Sequence, residues 1–161
     1  MTNPPIERDA RIPAGGDRFR QRRKVFGSMS IDRKVSGSDT DEDLFVIENT
    51  NDSKGGPPRH LLHSQEEWFY VVDGDYVAEV GDERYQLRPG DSVFAPRGTP
   101  HVWAHVGEGR GRMLVAFRPA GEMEAFFDAM SQVKEAPSRE ELPGLFRSHG
   151  MEVAGPPLEV E

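Results

Sequence analysis

The sequence has no cysteine, which excludes disulfides and every thiolate-based metal site. It has no apolar run approaching the ~20 residues of a membrane-spanning helix. Its opening stretch, from Met1 to Glu7, lacks the apolar core of a secretion signal. The expectation is a soluble cytoplasmic protein with no membrane partner. Positive charge is scarce as well: 20 Lys and Arg stand against 28 Asp and Glu, a formal net charge of −8. General nucleic-acid binding needs a net cationic surface, so no nucleic-acid partner is expected. Hydrophobic residues make up only 35% of the 161 positions, which implies one compact core with polar loops and termini.

Glycine and proline are plentiful, at 17 and 13, too many for a helical bundle and well suited to short strands joined by tight turns. Residues 1–23 are polar and punctuated by Pro4, Pro5, Pro13 and Gly15-Gly16, and are expected to form a flexible N-terminal arm. The basic group Arg18, Arg20, Arg22, Arg23 and Lys24 reads as a solvated face offsetting the acidic run from Asp39 to Asp43. A barrel is expected over 24–118, with strands at Leu44–Ile47, Trp68–Val72, Tyr76–Val80, Arg84–Leu87, Ser92–Ala95, His101–Val106 and Met113–Phe117. Asp73-Gly74 is a strong hairpin signal. Residues 119–161 carry a different period. Met123, Phe126, Phe127 and Met130 predict an amphipathic helix over 121–133, packed on the barrel's outside. Ser138 and Glu141 have capping-box spacing for a second helix ending before Gly150, with Pro143 awkward within it and an extended tail beyond.

Three separated residues, His60, Glu67 and His101, carry the imidazole nitrogens and carboxylate oxygen that zinc, iron, manganese and nickel accept. Strand parity sorts their neighbours. Residues 60 and 62 share a face, which turns His63 outward as a surface residue. Positions 101, 103 and 105 share a face, so His101, Trp103 and His105 look the same way. Of adjacent Glu66 and Glu67, one at most faces inward.

Read in order, Gly55, His60, Leu62, Glu67 and Gly74, then Gly90, Pro96, Gly98, His101 and His105, resemble the two motifs of the cupin superfamily. Segments such as Gly-Gly-Pro-Pro at 55–58 and Pro-Gly-Asp-Ser-Val-Phe-Ala-Pro-Arg at 89–97 are similar to small single-domain bacterial cupins of the quercetin-dioxygenase-like type. The resemblance implies a mostly β fold, an antiparallel jelly-roll barrel with one or two C-terminal helices. It also implies that His60, Glu67 and His101 are metal ligands, with Glu66 left at the rim. Three departures accompany it. Gly55 stands one residue nearer His60 than the family pattern, His105 replaces the closing Asn of the second motif, and Leu62 replaces a histidine that is a fourth ligand in the family.

The resemblance further implies a divalent-metal cofactor (Fe, Mn, Ni or Zn) held by His60, Glu67 and His101. Glu67 is the catalytic candidate, and Leu62, Phe69, Trp103 and His105 line the pocket for a small-molecule substrate. The function expected is a metal-dependent, dioxygenase-like oxidoreductase acting on a small aromatic or enolisable compound. The alternative is a metal-free binding barrel, or an acid/base isomerase or cyclase with a degenerate metal site. A homodimer built through the arm and the strand near 41–49 is also expected, as is common among single-domain cupins.

Overall fold

A computed structural model describes residues 10–133, 135 and 137–161. Two antiparallel sheets face each other. The first has six strands in the order β1 (Arg23–Val25), β2 (Met29–Val35), β3 (Phe45–Asn51), β10 (Gly111–Arg118), β5 (Glu66–Asp73) and β8 (Ser92–Ala95). The second has five: β11 (Met151–Gly155), β4 (Arg59–Leu62), β9 (His101–His105), β6 (Tyr76–Val80) and β7 (Glu83–Leu87). This is the mostly β, jelly-roll-like barrel expected from the sequence. Two helices follow the barrel strands, α1 (Met123–Gln132) and α2 (Leu142–Arg147). Among the described residues no helix is long and apolar enough to cross a membrane.

Period-two burial places the site residues. Along β5, Glu67, Phe69 and Val71 are buried while Trp68 faces solvent. Along β10, Gly111, Met113, Val115 and Phe117 face inward, and along β3 so do Phe45, Ile47, Asn49 and Asn51. Cross-strand register lines up Phe45, Phe117 and Glu67 in one row and Asn49, Met113 and Val71 in another. The floor of the interior is therefore one sheet, with a carboxylate at one end and amides toward the other.

Several local expectations differ from the structure. Asp73-Gly74 does not close a hairpin: β5 pairs with β10 and β8, whereas β6 pairs with β7 and β9. Gly74, at φ 84°, carries the chain from one sheet to the other. The turn forms but joins different partners, because pairing follows burial of the two sheet faces. Helix α1 spans 123–132 and, with α2, roofs the barrel's interior: Phe126, Phe127 and Phe146 line the same cavity as His60 and Glu67. Pro143 lies in the first turn of α2, where its missing N–H is harmless. Residues 151–155 of the tail form β11, paired with β4.

The first nine residues of the expected arm lie outside the described residues. From residue 10 onward the chain is held to β2. The buried Asp17 accepts hydrogen bonds from the Arg33 backbone at 2.6 Å and from its guanidinium at 3.1 Å. The same Arg33 lies 3.7 Å from Glu124 of α1. Glu124 also accepts from Ser36 Oγ at 2.9 Å and from Gly37 N at 3.1 Å, and Asp128 pairs with Arg23 at 2.9 Å. Helix α1 is thus fastened to the barrel by several polar contacts, whereas α2 contributes one buried side chain, Phe146.

Candidate metal centre

His60 and His101 are Cα partners on the adjacent strands β4 and β9, and Glu67 reaches them from the facing sheet. All three are buried, at 5%, 2% and 4% exposure. Proline builds both histidine positions. Pro57-Pro58 and Pro100 stiffen the approaches to β4 and β9 and hold the residues before them extended. Each imidazole then turns its Nδ1 to the carbonyl two residues back: Pro58 O at 2.7 Å for His60 and Thr99 O at 3.0 Å for His101. A backbone carbonyl accepts only, so each Nδ1 donates and each Nε2 is the atom free to ligate or to take a proton. The rings stand 4.6 Å apart between centroids.

Glu67 Oε2 lies 2.7 Å from His101 Nε2. One ligand atom from each of the three residues falls within 4.8 Å of the other two. Around an ion with bonds of about 2.0–2.2 Å, neighbouring ligand atoms sit about 3–3.5 Å apart. Closure onto one ion therefore needs side-chain shifts below about 1 Å each, within rotamer play. Two neutral imidazoles and one carboxylate are the donor set of a borderline divalent cation, so the residues present fit a metal.

Electrostatics divides the two histidines. Burial, reinforced by the charge of His101, pushes the His60 pKa down to about 4, although Glu67 works the other way. Burial also opposes charge on His101. There it is outweighed by the Glu67 charge, the Glu67 hydrogen bond and the Thr99 carbonyl, and the His101 pKa is raised. Burial thus leaves His60 a neutral base at neutral pH, whereas the Glu67 carboxylate favours the protonated form of His101.

The other candidates take distinct places. Leu62 is buried at 2% exposure on the same face of β4 as His60, and its carbonyl accepts from Gly98 N at 2.8 Å. It offers hydrocarbon and no donor, and it is not among the residues that line the cavity. Phe69 is buried with its ring 5.9 Å from His101. Trp103 lines the cavity directly. His105 shares the face of His101 and Trp103 but lies beyond Trp103, against Tyr76 at 5.2 Å. Its Nδ1 is 3.2 Å from Ser53 O, and its buried Nε2 meets no partner among the described residues. Glu66 lies on the rim with Arg97 at 2.8 Å, and the half-exposed His63 faces Glu152 at 3.5 Å.

The cavity measures about 40 Å³ and is walled mainly by Met29, Ile47, Val115, Phe117 and the roof of Phe26, Met123, Phe126, Phe127, Phe146 and Met151. Phe146 meets the His60 ring edge-on at 5.5 Å. Sequence reasoning misses two contributors, this aromatic roof and Asn49 on the floor. The roof's signal is present in the helical spacing of Phe126 and Phe127, which by itself points only to packing on the barrel's outside.

Comparison with known proteins agrees with this architecture. Residues 51–117 match the family model for the cupin domain. An uncharacterised protein of Streptomyces coelicolor is 39% identical over 57 residues, covering 35% of this chain and 53% of that protein. The chain thus spans about half the length of that curated relative. Among solved structures, KdgF from Halomonas sp. superposes with a TM-score of 0.55 at 23% identity, covering 62% of this chain and 86% of its own. A RmlC-like cupin from Shewanella frigidimarina gives 0.52 at 21% identity, covering 65% and 87%. At these identities the structural likeness is one of fold.

Proposed function

For a chain that carries a cupin domain, we propose a metal-dependent, dioxygenase-like oxidoreductase acting on a small aromatic or enolisable compound inside the barrel. The observation that carries the reading is the buried set of two imidazoles and a carboxylate within 4.8 Å, walled by apolar side chains. Divalent iron, manganese, nickel or zinc held by His60, Glu67 and His101 would supply a Lewis acid with open positions for a substrate oxygen and dioxygen. His60 and His101, held through Nδ1 by Pro58 and Thr99, turn their Nε2 atoms toward the cluster, and an ion would replace the His101–Glu67 hydrogen bond as the side chains close on it. Glu67 Oε2 accepts the proton of an enol or phenol as it binds. The roof around Phe146 excludes bulk water, which strengthens charge interactions beneath it.

A cavity of about 40 Å³ is far below the ~300–1,000 Å³ of a ligand pocket. Substrate entry therefore requires the roof to move, and α2, with its single buried side chain, is the element to yield. On this reading residues 24–118 hold the chemistry and 119–161 close it. The test is metal analysis of protein purified without chelators, followed by oxygen uptake with catechol. About one ion per chain is expected, lost in Glu67→Gln and His101→Ala. Absence of stoichiometric metal, even after addition of iron, manganese, nickel and zinc, overturns the reading.

The His101–Glu67 hydrogen bond at 2.7 Å favours a second reading, acid/base isomerisation or cyclisation without metal. His60 is the neutral base there and the His101–Glu67 pair the proton store. Turnover by chelator-treated protein, abolished in Glu67→Gln, distinguishes it. A homodimer is also proposed, but not by strand addition near 41–49, because β3 is flanked by β2 and β10 and has no free edge. Trp68 and Phe94, partners across β5 and β8, are 39% and 55% exposed on the outer face, and a monomeric mass by light scattering contradicts the pairing.

A further inference from the structure

Besides His60, Glu67 and the Trp103 indole, one polar side chain among the described residues lines the cavity, Asn49. It lies on β3, 3% exposed, in the same sheet as Glu67 with β10 between them. Its Nδ2 donates to Asn51 Oδ1 at 2.7 Å, and it lies within hydrogen-bonding reach of the Tyr76 hydroxyl. Asn51 Oδ1 also accepts the Tyr76 hydroxyl proton at 2.9 Å. This network fixes which end of the Asn49 amide faces it. A flipped amide would set two carbonyl oxygens against each other, so the nitrogen faces Asn51 and Tyr76. None of the side-chain hydrogen bonds among the described residues uses Asn49 Oδ1. Asn49 is not among the residues with a buried side-chain atom lacking a partner, so its Oδ1 opens onto the cavity it lines. Once a ligand fills that cavity, an acceptor left without a donor costs about 1–3 kcal/mol, and the ligand is the partner this amide calls for.

We propose that Asn49 is a specificity-determining residue whose Oδ1 accepts a hydrogen bond from a hydroxyl or N–H of the ligand. The cavity then selects largely apolar molecules with a metal-binding oxygen at one end and a hydrogen-bond donor at the other. The metal-binding end rests on the function proposed above; the donor end rests on Asn49 alone. An acceptor shaped for a ligand donor discriminates strongly against the isostere lacking it, because the buried oxygen is then left unpaired.

Two isosteric probes test this by calorimetry on the metal-loaded protein: 4-(2-hydroxyethyl)catechol and 4-propylcatechol. The first is expected to bind about tenfold more tightly, the size of one net hydrogen bond. Asn49→Leu removes the preference. Asn49→Ala removes it as well and covers the case in which the Leu variant fails to fold. A preference unchanged in Asn49→Leu, no preference in the wild type, or no binding of either probe overturns the proposal. Repeating the titrations after metal removal separates the two readings. Unaltered affinities with a preference that still follows Asn49 sink the metal site and leave the Asn49 assignment standing. Metal-dependent affinities with a preference indifferent to Asn49 do the reverse.

Discussion

Replacing Leu62 by histidine is the most direct probe of the cluster. Leu62 and His60 share a face of β4, about 7 Å apart along the strand, so an imidazole at 62 projects toward the space bounded by His60, Glu67 and His101. Without metal the change is costly. A Leu buried at 2% exposure is exchanged for a polar ring with no evident partner, at about 2–3 kcal/mol. With metal, a fourth nitrogen is gained and the ring is paired. A gain of at least tenfold in affinity, about 1.4 kcal/mol, is expected. Two measurements read this: thermal unfolding with and without added Zn²⁺ or Mn²⁺, and competition with a chromophoric chelator. The variant should melt below the wild type when metal-free and recover more than the wild type on loading, since ligand stabilisation grows as RT ln(1 + [L]/Kd). A folded Leu62→His protein with unchanged metal affinity refutes the argument, because the cavity is then not arranged around an ion.

The same geometry predicts three further outcomes. The His60 pKa falls from 6.5 to about 4 on folding, so its contribution is present above 6.5 and is lost as pH falls toward 4, about 3 kcal/mol for metal-free protein. His101 has the opposite sign: its raised pKa gives stability present below its unfolded value and lost as pH rises through the folded one. Urea titrations of His60→Gln and wild type across pH 4–8 check this, and a parallel pH dependence in both contradicts it. Phe146→Ala removes the side chain against His60; a loss of about 3–4 kcal/mol should accompany faster metal uptake in stopped flow, and an unchanged rate rejects α2 as the door. Gly111→Ala places a Cβ 2.5 Å from His105 Cδ2 and 2.6 Å from Tyr76 Oη, costing about 1–3 kcal/mol by overpacking, whereas an unperturbed melting temperature shows that His105 can yield.

The barrel was legible in the sequence because alternation and turn chemistry act locally. Trp68 to Val72 reads as a strand from its residues alone, and the alternation that buries Glu67, Phe69 and Val71 follows from parity. What local reasoning could not supply was pairing between distant segments. Asp73-Gly74 specifies a turn but not whether β5 and β6 share a sheet. Nothing within 151–155 announces that it will pair with β4, since its partner lies some ninety positions earlier. The set His60, Glu67 and His101 was readable through the resemblance to the two cupin motifs, whereas parity alone left the choice between Glu66 and Glu67 open. Asn49 was not readable, because an Asn in a run such as Glu48-Asn49-Thr50-Asn51 looks like a polar strand end until Met113 and Val71 are found beside it.

Charge balance bears on what enters the cavity. Two neutral imidazoles and the Glu67 carboxylate contribute one negative charge, so a divalent ion leaves the buried site with one positive charge in excess. Exchanging a neutral histidine for Leu62 alters the number of ligands without altering that sum. An uncompensated charge beneath Phe126, Phe127 and Phe146 is unfavourable in so apolar a setting. A ligand that binds as a monoanion, an enolate or phenolate oxygen, removes the excess. If Glu67 instead takes up the ligand's proton, the carboxylate is neutralised and the excess returns. The proton therefore has to leave the site or pass on to the product. A solvent isotope effect on oxygen uptake, reduced in Glu67→Asp where the carboxylate is withdrawn by one methylene, would place that transfer at Glu67; an effect unchanged by the substitution would place it elsewhere.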